Sequence, residues 1–155
     1  MSRDLKLLAP YVAEAAKELV ILCLTAGLPI LITQTKRTVF EQQSLWEQGR
    51  TRPGKVVTNA QPGDSPHCPP HDFPGLAFDV AFRVLETGEV TWDPPEGRPW
   101  EEVGVIAEGL GLEWGGRWSG FPDRPHFQWP HWRRVAGGAD PTGGKSPSGG
   151  VIGVT

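Results

Sequence analysis

The chain has 155 residues, with 15 Lys and Arg against 18 Asp and Glu, so its formal net charge is −3 at pH 7. This length suits one globular domain with a hydrophobic core. The absence of a basic excess argues against binding to a nucleic-acid backbone or to a membrane through a polybasic surface. The apolar run over 19–32 contains Gly27 and Pro29. It is shorter than the ~20 residues of a membrane span, so we expect no membrane insertion.

The N-terminal part of the chain predicts a helix followed by a strand. Pro10 can begin a helix in its first turn, and apolar residues then recur at helical spacing as far as Cys23. Gly27 ends this pattern. The short β-branched stretch 28–33 follows, and it is typical of a buried strand.

The next stretch predicts a second helix and a long loop. The sequence Thr38-Val-Phe-Glu41 is a capping box, which predicts a helix over about 39–48. Residues 49–65 are rich in Gly, Pro, Asn and Thr, a composition that indicates a loop.

The strand predicted over 76–82 has two different faces. Its large residues are Leu76, Phe78, Val80 and Phe82, and its other face carries Ala77, Asp79 and Ala81. A carboxylate in such apolar surroundings must be exposed on an edge, paired, or bound to a metal ion. Because the two alanines leave room for an ion, the alternation favours a metal-binding face.

The remaining elements complete a mixed fold. A Glu-Thr-Gly turn leads to a partner strand over 89–92, and Pro99 begins a helix that runs to about Leu110. Short strands are predicted over 112–114 and 126–129. Because helices come first and hairpin-like strands follow, we predict an α+β fold in which N-terminal helices pack against a small antiparallel sheet.

Two pairs of acidic and histidine residues predict a metal-dependent hydrolase. His67 precedes Asp79 by twelve residues, and Asp123 precedes His126 by three. Two histidines and one carboxylate can fill three of the four positions around a catalytic zinc ion and leave the last for water. Asp123 could then stay off the metal and transfer the proton. His71 competes with His67 for the first ligand position, and residue chemistry alone leaves that choice open.

Five segments, taken in order, resemble the peptidoglycan-cleaving metallopeptidases of the D-Ala-D-Ala carboxypeptidase type. The resemblance covers Leu8 to about Trp129 and is greatest to the L-alanyl-D-glutamate endopeptidases found as phage endolysins and bacterial wall hydrolases. The segments are Thr35-Lys-Arg37-Thr-x-x-Glu-Gln42-x-x-Leu-Trp46-x-x-Gly49-Arg50-Thr51, Val57-Thr-Asn-Ala-x-x-Gly-x-Ser65-x-His67, Gly75-x-Ala77-x-Asp79, Gly111-Leu-Glu-Trp-Gly-Gly-Arg-Trp118 and Asp123-x-Pro-His126-Phe-Gln. Each segment alone is a weak signal, but five in this order are specific.

The resemblance implies a zinc site on the sheet and a role for each matching residue. His67, Asp79 and His126 would bind Zn²⁺, Asp123 would be the catalytic acid and base, and Arg37 would stabilise the oxyanion. The residues expected to contact substrate are Gln42, Arg50, Ser65 and Trp118.

The spacing before Asp79 departs from the family pattern Ser-x-His-x-x-Gly-x-Ala-x-Asp, in which the histidine lies seven residues before the aspartate. Here His67 lies twelve residues before it and His71 eight. We interpret 68–73 as containing an insertion and keep His67 as the ligand, because it retains the Ser-x-His context.

The sequence therefore predicts a zinc peptidase that cleaves the stem peptide of bacterial peptidoglycan, as an L-alanyl-D-glutamate endopeptidase of the endolysin type. Three alternatives stay open: a D-Ala-D-Ala carboxypeptidase or dipeptidase, a non-haem iron oxygenase, and a non-catalytic wall-binding module with a structural metal. We expect a monomer without a signal peptide, which stays in the host cytoplasm until a holin or lysis gives it access to the wall. The catalytic domain spans 1–136, and the Gly/Ser/Pro-rich residues 137–155 are predicted to be a disordered tail.

Overall fold

The computed structural model describes residues 1–143 and confirms the predicted α+β class. The helices are α1 (Pro10–Thr25), α2 (Val39–Glu47), α3 (Glu101–Gly109) and α4 (Trp132–Ala136). The strands are β1 (Ile30–Gln34), β2 (Ala77–Arg83), β3 (Val90–Thr91), β4 (Glu113–Trp114) and β5 (His126–Gln128). Helix α4 was not predicted, and it directly follows the last strand.

The strands form one antiparallel sheet in the order β1-β2-β5-β4, and β3 also pairs with β2. The alternation predicted for β2 is present, because Phe78, Val80 and Phe82 all join the buried core together with Leu19 of α1. Phe78 also stacks on Phe127 of β5 with 5.7 Å between the ring centroids. The large face of β2 therefore holds the core, and the face that carries Asp79 is left for the site.

Strand β1 contains a bulge that matters for the site. Ile32 pairs with Val80, but the next paired residues are Gln34 and Asp79, so Thr33 is an extra residue in the ladder. A bulge of this kind changes the direction in which the following side chains point. Here it places Gln34 opposite Asp79, the carboxylate around which the site is built.

The predicted helix ends agree with the structure. Helix α1 begins at Pro10, and Gly27 follows it with a φ of 79°, which favours glycine. The capping box of α2 is formed: the Thr38 hydroxyl accepts from the Glu41 N–H at 3.1 Å, and the Glu41 carboxylate accepts from the Thr38 N–H at 2.9 Å. Within residues 1–143, no helix combines the length and the apolar character needed to cross a bilayer.

The predicted tail is described only in part. The first of its residues, 137–143, follow α4 as turns, and the Trp129 indole N–H donates to the Pro141 carbonyl at 2.9 Å. The other predicted tail residues, 144–155, lie outside the described residues. The domain boundary at residue 136 therefore stays a prediction.

Candidate metal centre and active-site cleft

The register of two strands brings two candidate ligands together. Asp79 on β2 and His126 on β5 are direct partners in the antiparallel ladder. Their side chains meet, with 3.2 Å between Asp79 Oδ1 and His126 Nδ1. His67 reaches the same point from the loop before β2, and its Nε2 lies 3.3 Å from Asp79 Oδ1 and 3.2 Å from His126 Nδ1. Side chains from β2, β5 and the loop before β2 thus bring three donor atoms to within 3.3 Å of one another.

The three donor atoms form a nearly equilateral triangle with edges of 3.2 to 3.3 Å. A tetrahedral zinc ion with bonds of ~2.0–2.1 Å separates its ligands by ~3.3–3.4 Å, so the triangle has the size of one face of such a site. Among residues 1–143, His67, Asp79 and His126 are the one group of His, Cys, Asp and Glu side chains placed to share a metal ion. The donor set therefore fits zinc.

Hydrogen bonds on the far side of each imidazole fix which nitrogen faces the centre. His67 Nδ1 lies 2.7 Å from the Thr35 carbonyl, and His126 Nε2 lies 2.9 Å from Gln128 Oε1. Since an amide or peptide oxygen only accepts, each of these nitrogens must carry the proton. The lone pairs of His67 Nε2 and His126 Nδ1 are therefore both directed at Asp79, as metal ligation requires.

The three side chains shift one another's proton affinities. Burial lowers the pKa of His67. Burial also works against a charged His126, but the hydrogen bond and charge of Asp79 outweigh it and raise the pKa of His126. For Asp79, burial alone would raise the pKa, but the two histidines together lower it below the usual range. An ionised carboxylate is thus held between two imidazoles, an environment that favours a bound divalent cation.

The alternative ligand, His71, is elsewhere. It is exposed, has a φ of 59° and lies in the short turn Pro70–Asp72 inside the predicted insertion. It lines a separate cavity of about 590 Å³ next to Lys36, whose Nζ pairs with the Asp72 carboxylate at 2.5 Å. The structure therefore brings His67, and not His71, to Asp79.

Arg37 is held against the metal centre by three elements. Its Nη1 donates to Gln42 Oε1 at 3.0 Å, its Nη2 donates to Gln34 Oε1, and its backbone N–H donates to the His67 carbonyl at 2.8 Å. Nη2 also lies 3.9 Å from Asp79 Oδ2. The guanidinium is thus fixed beside the candidate ligands, and its buried Nε has no hydrogen-bond partner among the described residues.

Asp123 lies on the wall of the same cleft as His67 and His126. Burial is the main cause that raises the pKa of Asp123, and the charge of Asp79 adds to it while His126 opposes it. The position of Asp123 depends on Gly115, whose carbonyl accepts from the Asp123 N–H at 2.9 Å. A Cβ on Gly115 would lie only 2.4 Å from the Asp123 carbonyl oxygen. Asp123 is therefore a fixed carboxylate that can take up a proton more readily than an exposed one.

These groups open onto a cleft of about 790 Å³. Trp118 lines it, with its ring centroid 5.1 Å from that of His126, and its contact with substrate stays a prediction. Other lining residues were not singled out from the sequence: Leu45, Val57, Asn59, Phe121, Gln128, Trp132 and Arg133. Leu45 lies on the predicted helix α2, and the others lie on loops, on the short strand β5 and on the unpredicted α4, where periodicity gives no signal.

Two residues expected to contact substrate have other roles. Gln42 is fully buried, and its amide donates to the Ala60 carbonyl at 2.8 Å while its oxygen accepts from Arg37. Direct substrate contact by Gln42 is therefore wrong, because no surface is left for it. Ser65 lines the cleft but is also buried, and its hydroxyl accepts from the His67 N–H at 3.2 Å. Both side chains form hydrogen bonds to residues of the site, Gln42 to Arg37 and Ser65 to His67.

The Arg50 guanidinium likewise forms its hydrogen bonds within the protein. Its guanidinium donates to the carbonyls of Trp46 at 2.6 Å and Thr58 at 3.1 Å and to Asn59 Oδ1 at 3.2 Å, and it lies 4.7 Å from the centroid of the Trp46 ring. It is not one of the residues that line the cleft. Arg50 ties the loop that forms one cleft wall to helix α2, and its contact with substrate stays a prediction.

Comparison with known proteins gives three findings. A family profile described as D-alanyl-D-alanine carboxypeptidase matches residues 59–129. The peptidoglycan L-alanyl-D-glutamate endopeptidase CwlK of Bacillus subtilis is 38% identical over 127 residues, which cover 78% of this chain and 72% of that protein. The L-alanyl-D-glutamate peptidase of a Listeria phage is 30% identical over 121 residues. That match covers 78% of this chain but only 37% of the phage protein.

A solved structure shares the fold. The crystal structure of the Serratia marcescens L-Ala D-Glu endopeptidase ChiX superimposes with a TM-score of 0.55 at 21% identity. The match covers 80% of this chain and 81% of that one. The matched range 59–129 contains the three candidate ligands His67, Asp79 and His126 and also Asp123.

Proposed function

The chain belongs to the metallopeptidase family that includes D-alanyl-D-alanine carboxypeptidases and peptidoglycan L-alanyl-D-glutamate endopeptidases, and from this we propose that it cleaves the stem peptide of peptidoglycan between L-alanine and D-glutamate. The single observation that carries the proposal is the triangle of His67, Asp79 and His126, two of whose members, His67 and His126, line a cleft together with Asp123 and Arg37. This arrangement supports the proposal, because three candidate ligands, a carboxylate and a guanidinium lie close together.

Zinc is the ion we assign to this centre. Three protein ligands of the His/Asp/His type leave an open position, which distinguishes catalytic zinc sites from closed structural ones. A bound zinc ion supplies Lewis acidity, which polarises a carbonyl oxygen and makes water acidic near neutral pH. The alternative of a purely structural metal does not account for the open cleft or for Asp123 on its wall.

The chain's own residues would carry the proton and charge movements. Asp123 would take the proton from the water that attacks the peptide carbonyl and then deliver it to the leaving amine, as a general base followed by a general acid. Arg37 would donate to the oxygen that becomes negative in the tetrahedral intermediate. Gln34 and Gln42 hold the guanidinium in place for this task. Trp118 would cover the peptide on the His126 side of the cleft.

The bond cleaved can be tested directly. Purified peptidoglycan or muropeptides are digested, and the fragments are identified by mass spectrometry. Cleavage between L-alanine and D-glutamate leaves L-alanine on the muramic acid and exposes a new D-glutamate amine. The second candidate, a D-alanyl-D-alanine carboxypeptidase, is favoured by the description of the matching family profile. It would release a single D-alanine, so the two activities give different masses.

The finer biology is proposed on the same basis. We propose that the enzyme acts as a monomer on the bacterial wall, which it reaches from the host cytoplasm after a holin or lysis releases it. The phage relative with the L-alanyl-D-glutamate peptidase name supports a lytic role. Residues 137–155 are proposed to add nothing to catalysis, and a chain that ends at residue 136 should digest purified wall at nearly the full rate.

A further inference from the structure

We propose that Glu113 sets the protonation pattern of the ligand His126 through Gln128, and so determines whether the metal centre can form. Glu113 is thus inferred to be a positioning residue, at the exposed edge of the sheet and outside the metal triangle. The inference deepens the proposed function and rests on it, because it concerns the affinity of the same centre for zinc.

A line of hydrogen bonds connects Glu113 to the centre along one face of the sheet. Glu113 on β4 and Gln128 on β5 are partners in the antiparallel register, and Gln128 Nε2 donates to Glu113 Oε2 at 2.9 Å. Two residues back along β5, His126 Nε2 lies 2.9 Å from Gln128 Oε1. His126 Nδ1 then faces Asp79 at 3.2 Å. Strand register alone therefore orders the side chains from the sheet edge to the metal position.

The carboxylate of Glu113 dictates which way the Gln128 amide points. An ionised carboxylate accepts hydrogen bonds and donates none, whereas an amide has a donor end and an acceptor end. The NH₂ group of Gln128 must therefore face Glu113, and its oxygen must face His126. Gln128 is buried, so leaving either end without a partner would cost free energy that a surface amide would not lose.

The amide oxygen in turn dictates the state of His126. Facing an oxygen, His126 Nε2 must carry a proton, and the neutral ring then presents its lone pair at Nδ1, toward Asp79 and His67. If the amide were reversed, its NH₂ group would favour an unprotonated Nε2 and place the proton on Nδ1, where the metal must bind. An amide transmits this orientation without transferring a proton, so Glu113 acts on geometry and not as an acid or base.

The experiment replaces the acceptor Glu113 with a donor in two proteins, one that retains Gln128 and one that carries Gln128→Glu. Glu113→Lys offers Gln128 a donor, which favours the reversed amide. Zinc affinity, measured by competition with a chromophoric chelator, should fall ~10–100-fold, the range typical for partners of metal-bound histidines. Gln128→Glu removes the choice of orientation, because a carboxylate accepts at both oxygens. In that background Glu113→Lys should no longer weaken zinc binding, since the lysine can pair with the new carboxylate.

A second measurement locates the proton on the His126 ring and complements the measurement of zinc affinity. In the metal-free full-length chain, long-range ¹H–¹⁵N NMR of His126 should show the proton on Nε2 in the original protein and on Nδ1 in Glu113→Lys. The matched control is Glu86→Lys, the same charge change at an exposed residue in the turn between β2 and β3, which should alter neither quantity. Thermal unfolding of each metal-free variant verifies that it is folded.

The outcomes separate cleanly. Rescue in the Gln128→Glu background together with the shifted proton supports the inference. An equal loss of zinc affinity in both backgrounds would mean that Glu113 acts only through its charge and would overturn it, as would a folded Glu113→Lys protein with unchanged affinity and Nε2 still protonated. If the original protein binds no zinc, the proposed function fails, but the NMR measurement still tests whether Glu113 controls His126.

Discussion

The candidate site is built from two halves of different construction. Asp79 and His126 lie on paired strands in the middle of the sheet, and the ladder itself brings them together. His67 and Asp123 lie on irregular backbone and are held by individual hydrogen bonds, among them those from the His67 ring to the Thr35 carbonyl and from the Asp123 N–H to the Gly115 carbonyl. One half is fixed by a repeating pattern and the other by individual contacts.

This difference predicts that substitutions will disturb the two halves in different ways. A strand residue moves only with its whole ladder, and a shift of one residue would send Asp79 to the opposite face of the sheet. A loop residue can be displaced alone by one misplaced methyl group. We therefore expect substitutions beneath the loop half to change the rate with little effect on folding, and the predictions below test this from the largest effect to the smallest.

Removal of the loop ligand should have the largest effect. His67→Ala should lose zinc and wall digestion together, beyond the ~100-fold loss of metal affinity expected for a supporting residue. Asp79→Asn, on the sheet, should weaken zinc binding as well, because it removes the only anionic ligand. Zinc per chain and turnover are measured for each variant.

His71→Ala is the matched control, because it removes a histidine a few residues away on the exposed turn. It should retain most of its zinc and activity. The assignment of the first ligand would be reversed if His71→Ala lost zinc and His67→Ala kept it.

Asp123→Asn should reduce turnover by ~10²–10⁴-fold, the usual cost of losing a positioned general base. Zinc content and melting temperature should stay unchanged, because His67, Asp79 and His126 are untouched. Asp93→Asn makes the same chemical change at an exposed position outside the cleft and should retain full turnover. Loss of zinc in Asp123→Asn would show that Asp123 is a ligand instead.

Gly115→Ala tests the loop half by changing the position of Asp123 without removing any candidate ligand or acid. The added methyl group would lie 2.4 Å from the Asp123 carbonyl oxygen, so the loop must move and carry Asp123 with it. A displacement of about 1 Å can cost ~10²-fold in rate, and we expect kcat to fall while zinc affinity is kept. Gly109→Ala, where a methyl group would meet nothing within 4 Å, is the control. Equal activity of the two variants would contradict the positioning role of Gly115.

The smallest effect concerns pH. Asp123 must be ionised to accept a proton, and its pKa is raised mainly by burial. Activity should therefore rise with pH through a midpoint above the ~3.9 of an ordinary aspartate. The measurement is kcat/KM against pH in excess zinc, with zinc content followed at each point. An acidic limb that persisted unchanged in Asp123→Asn would assign it to another group.

The sequence predicted the sheet half of the site better than the loop half. The alternation around Asp79 is a period that strands impose, so its face and its buried neighbours were readable from the sequence. His67 could be separated from His71 only by resemblance to a family motif, because a loop has no period from which a direction can be inferred. The ends of α1 and α2 were predicted since Pro10 and the capping box act locally.

The features that the sequence could not predict have a common physical origin. Gln42 and Arg50 occupy motif positions near the cleft, and the sequence does not reveal that their polar groups are used by the Ala60, Trp46 and Thr58 carbonyls. The partnership of Glu113 with Gln128 depends on the pairing of two strands of two and three residues. Strands this short carry no recognisable pattern, so such a contact becomes visible only once the chain is folded.

Strand β4, which carries Glu113, also bears on the behaviour of the enzyme in concentrated solution. It forms one edge of the sheet among the described strands, and it is only two residues long. Unpaired sheet edges can recruit strands from other molecules, and proteins limit this by making edge strands short and charged. A two-residue edge that displays a carboxylate gives a neighbouring copy almost no backbone to pair with. The residue inferred to order the metal centre would then also protect the sheet against edge-to-edge aggregation.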